Sequence, residues 1–420
     1  MGKVGRVLTA VLLAALPGTA ATAAAPAPAT QHGTAAAATA PAPARWTGSW
    51  EAAPSGTAPA LPGTAIRNVV HLSAGGTAVR IRIGNRLGTA PLRLGAVTVA
   101  LRRGAGADAV PGSLRTVTFR GVHAATVPVG RDLLSDPVRL PVPAAADLLV
   151  TVATPTGSGP ATYHRTALQT SYLADTGHAA DESGSAYTVR TDFWYYVTGV
   201  DVLGPATGSV VALGDSLTDG NGSTPDTNHR WPDLLAQRLR GRGVLNAGIA
   251  GNRLLRDGAG PSALARLDAD ALDRAGVRVL IVFEGINDIK GTPVADDPAA
   301  FATAYRTLVA RAHARGIRVV GVTLTPYGGY SAHTAAGEAV RQRVNAFIRT
   351  GGAFDAVADA DAAVRDPSAP GRIRPGYDPG DHLHFNDTGM RAIADTVART
   401  LVPALLHPEA PASRETQPRS

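Results

Sequence analysis

Residues 209–220 read Ser-Val-Val-Ala-Leu-Gly-Asp-Ser-Leu-Thr-Asp-Gly. Ser209 to Leu213 is a short, unbroken apolar run, the kind of strand that lies buried on both faces in a parallel sheet. Gly-Asp-Ser then interrupts it with turn formers and opens a helix. Two similar runs follow at Val277 to Phe283 and Ile317 to Leu324. Helical stretches alternate with them. Trp231 to Arg240 keeps its leucines on one side, and Ser262 to Ala275 starts on a capping serine. Asp297 caps a further helix with Pro298 at its first position, and Gly316 ends it. Ala335 to Arg349 and Asp387 to Leu401 complete the set. This alternation predicts an α/β layer fold with right-handed crossovers, over residues 206–407.

Upstream, residues 45–205 have a different texture. Thr77 to Ile83 alternates polar and apolar at period two, as a half-buried strand does. Leu92 to Leu94, Val97 to Val99, Asp147 to Ala153 and Phe193 to Val200 read as further strands, with Gly75-Gly76, Gly84-Asn85 and Pro111-Gly112 as turns. No long helical period interrupts them. An antiparallel, sandwich-like β domain is expected here.

At the N-terminus, Lys3 and Arg6 precede an apolar run from Val7 to Leu16 and a small-x-small site at Ala21-Thr22-Ala23, so residues 1–23 read as a secretory signal peptide. The run is too short to span a bilayer, and no membrane anchor is expected. Residues 24–44 are almost wholly Ala, Pro and Thr and read as a disordered leader, and 408–420 read as a flexible tail. The chain has no cysteine, which excludes thiol catalysis and thiolate metal sites. Export without disulfides is compatible with two domains of this size, because packing alone can hold them. The net charge of +7 does not signal nucleic acid: the only lysines are Lys3 and Lys290, the arginines are scattered among aspartates, and aromatics are 5% of residues.

In an open parallel sheet, ligands gather at the carboxyl ends of the strands. Four polar blocks fall at such places: Gly214 to Gly220, Asn246 to Asn252, Glu284 to Asp288, and Gly380 to Asn386 ahead of the last helix. Each offers a part that acyl transfer requires. Ser216, at a strand-to-helix turn, can expose its hydroxyl and turn its own N–H toward a developing oxyanion. A hydroxyl needs a base within hydrogen-bond reach, and His384 can serve. Asp381 can hold the other ring nitrogen and stabilise the imidazolium. Gly251 can donate a backbone N–H, and Asn287 an amide N–H, to a tetrahedral intermediate.

The order Gly-Asp-Ser-Leu, then Gly251, then Gly285-x-Asn287, then Asp381-x-x-His384 resembles the SGNH, or GDSL-type, hydrolase family over roughly residues 208 to 405. The resemblance implies a flavodoxin-like three-layer α/β/α domain, with esterases, lipases, thioesterases and carbohydrate deacetylases among its relatives. It implies Ser216 as nucleophile, His384 as base, Asp381 as its orienter, and the N–H groups of Ser216 and Gly251 with the Asn287 side chain as the oxyanion hole. Gly248 competes with Gly251, which is preferred for its distance from Asn246. The upstream half is similar to the β domain of secreted bacterial members grouped with xylan-related acetylesterases, on Trp46 to Trp50 and Arg82 to Asn85.

Two further Asp-x-x-His spacings occur, Asp175 to His178 in the β half and Asp226 to His229 in a polar loop, and both read as loop residues. Asp378, Asp381, His382 and His384 are crowded onto one loop without a partner pair elsewhere, so no metal and no cofactor is expected. Asp215, Trp231, Arg253, Tyr327 and His333 are candidate substrate contacts. Asp219 and Arg253 are also placed to stabilise the site's loops. The expected activity is hydrolysis of a small acyl ester, acetyl above all, free or on a polysaccharide. A lipase or phospholipase, or an acyltransferase to a sugar hydroxyl, is the alternative.

Overall fold

The computed structural model describes residues 44–406. The expected signal peptide, nearly all of the leader and the C-terminal tail lie outside them. Among the described residues no helix is long and apolar enough to cross a membrane.

From Arg45 to Gly204 every paired strand is antiparallel. One sheet carries Arg45–Glu51, Val197–Gly204, Gly76–Gly84 and Val138–Val142 in that order, and a second is centred on Thr64–His71 and Asp147–Thr154. The period-two pattern explains their packing. Val79, Ile81 and Ile83 enter one core together with Val138, Leu140 and Val142, and meet Ile66, Val70, Leu148, Val150 and Val152 of the other sheet. Arg80 and Arg82 alternate outward, and Arg80 Nη2 lies 2.7 Å from Asp201. The stretch expected as one strand over Phe193 to Val200 is instead two, Trp194–Tyr195 and Val197–Gly204, because Tyr196 between them sits at φ +62°.

From Ser209 onward the sheet is parallel. Its strands are Ser209–Gly214, Gly243–Gly248, Val277–Phe283, Arg318–Val322 and Ala356–Ala358, and in space the second strand flanks the first on one side while the third, fourth and fifth follow on the other. This is the flavodoxin-like order, with its switch point beside Ser209–Gly214. Helices Trp231–Arg238, Pro298–His313, Ala335–Thr350 and Asp387–Leu406 bury their apolar stripes against the sheet's core. The segment expected as one helix over Ser262 to Ala275 is an α turn, Ala263–Leu267, running into a π turn, Asp268–Leu272.

The two halves share backbone contacts. The Gly48 N–H donates to the Ala275 carbonyl at 2.8 Å, and the Val244 N–H to the Ser73 hydroxyl at 2.8 Å. A Cβ at Gly243 would lie 1.8 Å from the Gly48 carbonyl oxygen, so only glycine allows this approach. Glu51 meets Arg274 Nη2 at 2.7 Å across the junction, and Arg86 pairs with Asp270. Burial nevertheless pushes the Glu51 carboxyl up to about 8, against the pull of Arg274.

Candidate active site

Gly214 is in register with Gly248 on one side and Phe283 on the other, so three connections leave the sheet side by side at the switch point. The first carries Ser216, the second Gly251 and the third Asn287. Asp215 caps the short helix Ser216–Asp219 by accepting the Leu217 N–H at 2.9 Å, and Gly220, at φ +114°, ends it. Ser216 is thereby held at the head of a tight turn. Among the described residues no acceptor takes the backbone N–H of Ser216 or that of Gly251.

His384 arrives from the far end of the chain. Leu383 and Phe385 on either side of it are buried, and Asn386 accepts the N–H groups of Thr388 and Gly389 at 3.0 and 3.1 Å, capping the last helix. This fixes the loop that presents the imidazole. His384 Nε2 lies 2.9 Å from Ser216 Oγ, and His384 Nδ1 lies 2.5 Å from Asp381 Oδ2. The other Asp381 oxygen accepts the backbone N–H groups of Leu383 and His384 at 3.0 and 2.9 Å. Partial burial opposes ionisation of Asp381, but the hydrogen bonds from His384 and Leu383 outweigh it and hold the carboxyl below its ordinary value. A carboxylate on Nδ1 leaves Nε2 free to accept the serine proton.

Asn287 sits in the short helix Ile286–Lys290, after Gly285 at φ +126°. Its amide donates one N–H to the Asn252 carbonyl at 2.8 Å, leaving the second N–H. Gly251 is exposed at φ +82°. Gly248 is instead engaged: its N–H donates to the Asn246 side chain at 2.9 Å, and a Cβ there would meet the Asp219 nitrogen at 2.2 Å. An oxygen anion at Ser216 could therefore draw on Ser216, Gly251 and Asn287, and not on Gly248.

Residues 212–392 match the model of the GDSL-like lipase/acylhydrolase family. That stretch is a GDSL-like lipase/acylhydrolase domain. It is accordingly a carboxylic ester hydrolase. No protein of curated function matches it. Solved structures similar to this chain include a carbohydrate acetylesterase from Sinorhizobium meliloti, at 18% identity over 47% of this chain and 99% of that one, TM-score 0.38. An acetyl xylan esterase shows 20% identity over 45% and 97%, TM-score 0.33. An aryl esterase from M. smegmatis shows 18% over 47% and 99%, TM-score 0.37.

Three of the candidate substrate contacts need correcting. Asp215 is buried and its carboxylate caps the Ser216 turn; burial pushes it up to about 7. Trp231 is wholly buried and fills the core under the sheet. Tyr327 is buried as well, with its ring edge-on to His333 at 4.8 Å. None offers surface to a ligand. Arg253 and His333 are half-buried, and Arg253 Nη2 donates to the Thr292 carbonyl at 3.0 Å.

The other His–Asp spacings resolve differently. His178 pairs with Asp181 at 2.8 Å, His229 with Asp387 at 2.8 Å, and His382 with Asp378 at 2.6 Å. Asp226 clasps Gln169 and Thr170 of the β half.

Two supporting residues escaped the sequence reading. Asp288 accepts the Leu254 and Leu255 N–H groups at 2.7 and 3.0 Å, stapling the Gly251 loop to the Asn287 turn. Buried Arg266 donates to the carbonyls of Gly214 and Ala247 at 3.0 and 2.6 Å and to the Asn252 side chain at 2.9 Å. Asp288 stands next to Asn287 in sequence, which is a usable signal. Arg266 lies in an ordinary helical stretch and gives none.

Proposed function

We propose that the chain is an exported serine esterase that hydrolyses short acyl esters, acetyl groups above all, including those on polysaccharides. The observation that carries this reading is the contact of Ser216 Oγ with His384 Nε2 at 2.9 Å, backed by Asp381 on Nδ1. On it, His384 takes the hydroxyl proton as Oγ bonds to the acyl carbon. The carbonyl oxygen becomes an anion held by the Ser216 and Gly251 N–H groups and the Asn287 amide. The imidazolium returns the proton to the departing alcohol, leaving an acyl-enzyme. Water then repeats the cycle, giving up its proton to His384 as it attacks, and Ser216 is regenerated as the acid leaves.

Short acyl groups are favoured by the loops that flank Ser216. Gly220, Gly222, Gly251 and Gly285 punctuate them, and Ile286 and Ile289 are buried rather than presented to a long chain. Export is supported by the composition of residues 1–23, and intact-mass analysis of protein from the culture medium, with cleavage after Ala23, tests it. The catalytic reading is tested with a chromogenic ester series of increasing acyl length. Acetate should be turned over fastest, and Ser216→Ala should lose at least about a thousandfold in kcat. Wild-type turnover by Ser216→Ala would end the mechanism.

A further inference from the structure

Asp219 closes the turn that begins at Ser216 and is buried. One of its oxygens accepts the Ala250 N–H at 2.8 Å, and its own N–H donates to the Asp215 carbonyl at 2.8 Å. The carboxylate therefore ties the nucleophile turn to the loop whose next N–H is that of Gly251. Its second oxygen lies 2.9 Å from Nε2 of His164, a residue of the antiparallel half.

His164 is almost fully buried, with Trp194 tilted against it at 5.5 Å and the Arg230 guanidinium over that indole at 5.3 Å. Its Nδ1 lies 2.7 Å from the Ala53 carbonyl, which can only accept, so Nδ1 carries a proton. Nε2 faces a carboxylate that is also an acceptor. With both ring nitrogens facing acceptors, the surroundings favour the imidazolium form of His164. Burial alone would strip it, but Asp219 and the Ala53 carbonyl outweigh burial and the opposing Arg230, and its pKa is raised.

We propose that His164 is a positioning residue of the active site: its imidazolium holds Asp219, and through it the Ser216 turn and the Ala250–Gly251 loop, in the arrangement acyl transfer needs. The proposal rests on the reading of Ser216 as nucleophile. It makes the antiparallel half a part of the catalytic apparatus rather than an appended module. Apolar packing would fill the same space, but a donor on that side is what fixes the Asp219 carboxylate while its other oxygen is turned to Ala250. A cavity of about 530 Å³ lies against the pair, bounded by Trp50, Glu51, His164, Trp194, Asp219 and Arg230, and neither Ser216 nor His384 lines it. A small base can therefore reach the gap that His164→Ala would leave.

The test compares wild type, His164→Ala, Asp219→Asn and Ser216→Ala in the full chain on a chromogenic acetyl ester, well below each variant's thermal midpoint. His164→Ala should lower kcat about thirtyfold to a hundredfold with KM changed by no more than about threefold, as misplacement of a reacting group does. Added imidazole should restore at least about a tenfold part of that loss. A folded His164→Ala with kcat within about threefold of wild type would overturn the proposal, and so would a loss that imidazole leaves untouched, since that marks packing alone. Should His164→Ala not fold, Asp219→Asn decides: it keeps the volume, and kcat should fall about tenfold or more, whereas wild-type kcat overturns the proposal. An inactive Ser216→Ala beside an unaffected His164→Ala sinks only this inference. An active Ser216→Ala sinks the reading beneath it.

Discussion

Both oxygens of Asp381 are taken up by the loop that carries the base: one by the His384 ring, the other by two backbone N–H groups. A carboxamide in its place can present an N–H to Nδ1 and so force the wrong tautomer. Asp381→Asn should therefore lower kcat by about 10³- to 10⁴-fold while stability changes little, checked by steady-state kinetics beside a thermal melt. Asn287 uses one amide N–H on Asn252 and keeps the other. Its removal by Asn287→Ala should cost about 10²- to 10³-fold in kcat, with KM near wild type, because the lost bond is made to the anion and not to the ester. At this scale the sequence exposes chemistry but not burial. Ser216, His384 and Asp381 stand in turn-rich blocks that show where to look, whereas Trp231 and Tyr327 carry polar atoms on large rings, and nothing local distinguishes a pocket wall from a core.

The elements that aim these residues are unevenly legible in the sequence. Thr77 to Ile83 falls inside the strand Gly76–Gly84, and the run Val277 to Phe283 coincides with a strand, because alternation and unbroken apolarity are local signals. Strands Gly243–Gly248 and Ala356–Ala358 carry no such signal. The first mixes glycine, asparagine and alanine with only two large apolar residues, and the second is three residues long; both are strands because neighbours in the sheet supply their hydrogen bonds. Arg266 shows the same dependence on distant partners. It joins the carbonyl ends of two strands and the Gly251 loop, with Asp270 Oδ2 at 3.4 Å. Arg266→Met should strand buried carbonyls and lower the unfolding free energy by about 3 kcal/mol in a urea titration. It should also reduce kcat, since the loop it anchors is the one bearing Gly251.

For the molecule as a whole, the junction between the halves is where stability and activity meet. Glu51 sits there with its carboxyl raised to about 8. A carboxyl whose folded pKa exceeds its unfolded value keeps a proton in the native state that the unfolded chain has released. Its contribution thus declines as pH climbs from the unfolded value toward about 8, and is level above that. The stability of wild type minus that of Glu51→Gln should accordingly shrink across this window, by on the order of a few kcal/mol, in urea titrations at a series of pH values. A difference that grows with pH would contradict the assignment. Deleting residues 45–205 removes both this junction and His164. The remaining catalytic half should not reach wild-type kcat on even the smallest acetyl ester. That dependence was invisible in the sequence, where His164 and Asp219 are far apart and belong to segments of opposite texture.

On the proposed mechanism His384 activates Ser216, and covalent labelling reads that activation without a substrate. A fluorophosphonate probe, followed by peptide mass spectrometry, should modify wild type at Ser216 alone, and His384→Ala should slow that labelling by at least about a thousandfold. Adducts on another residue, or labelling of Ser216 that His384→Ala leaves unchanged, would contradict the account.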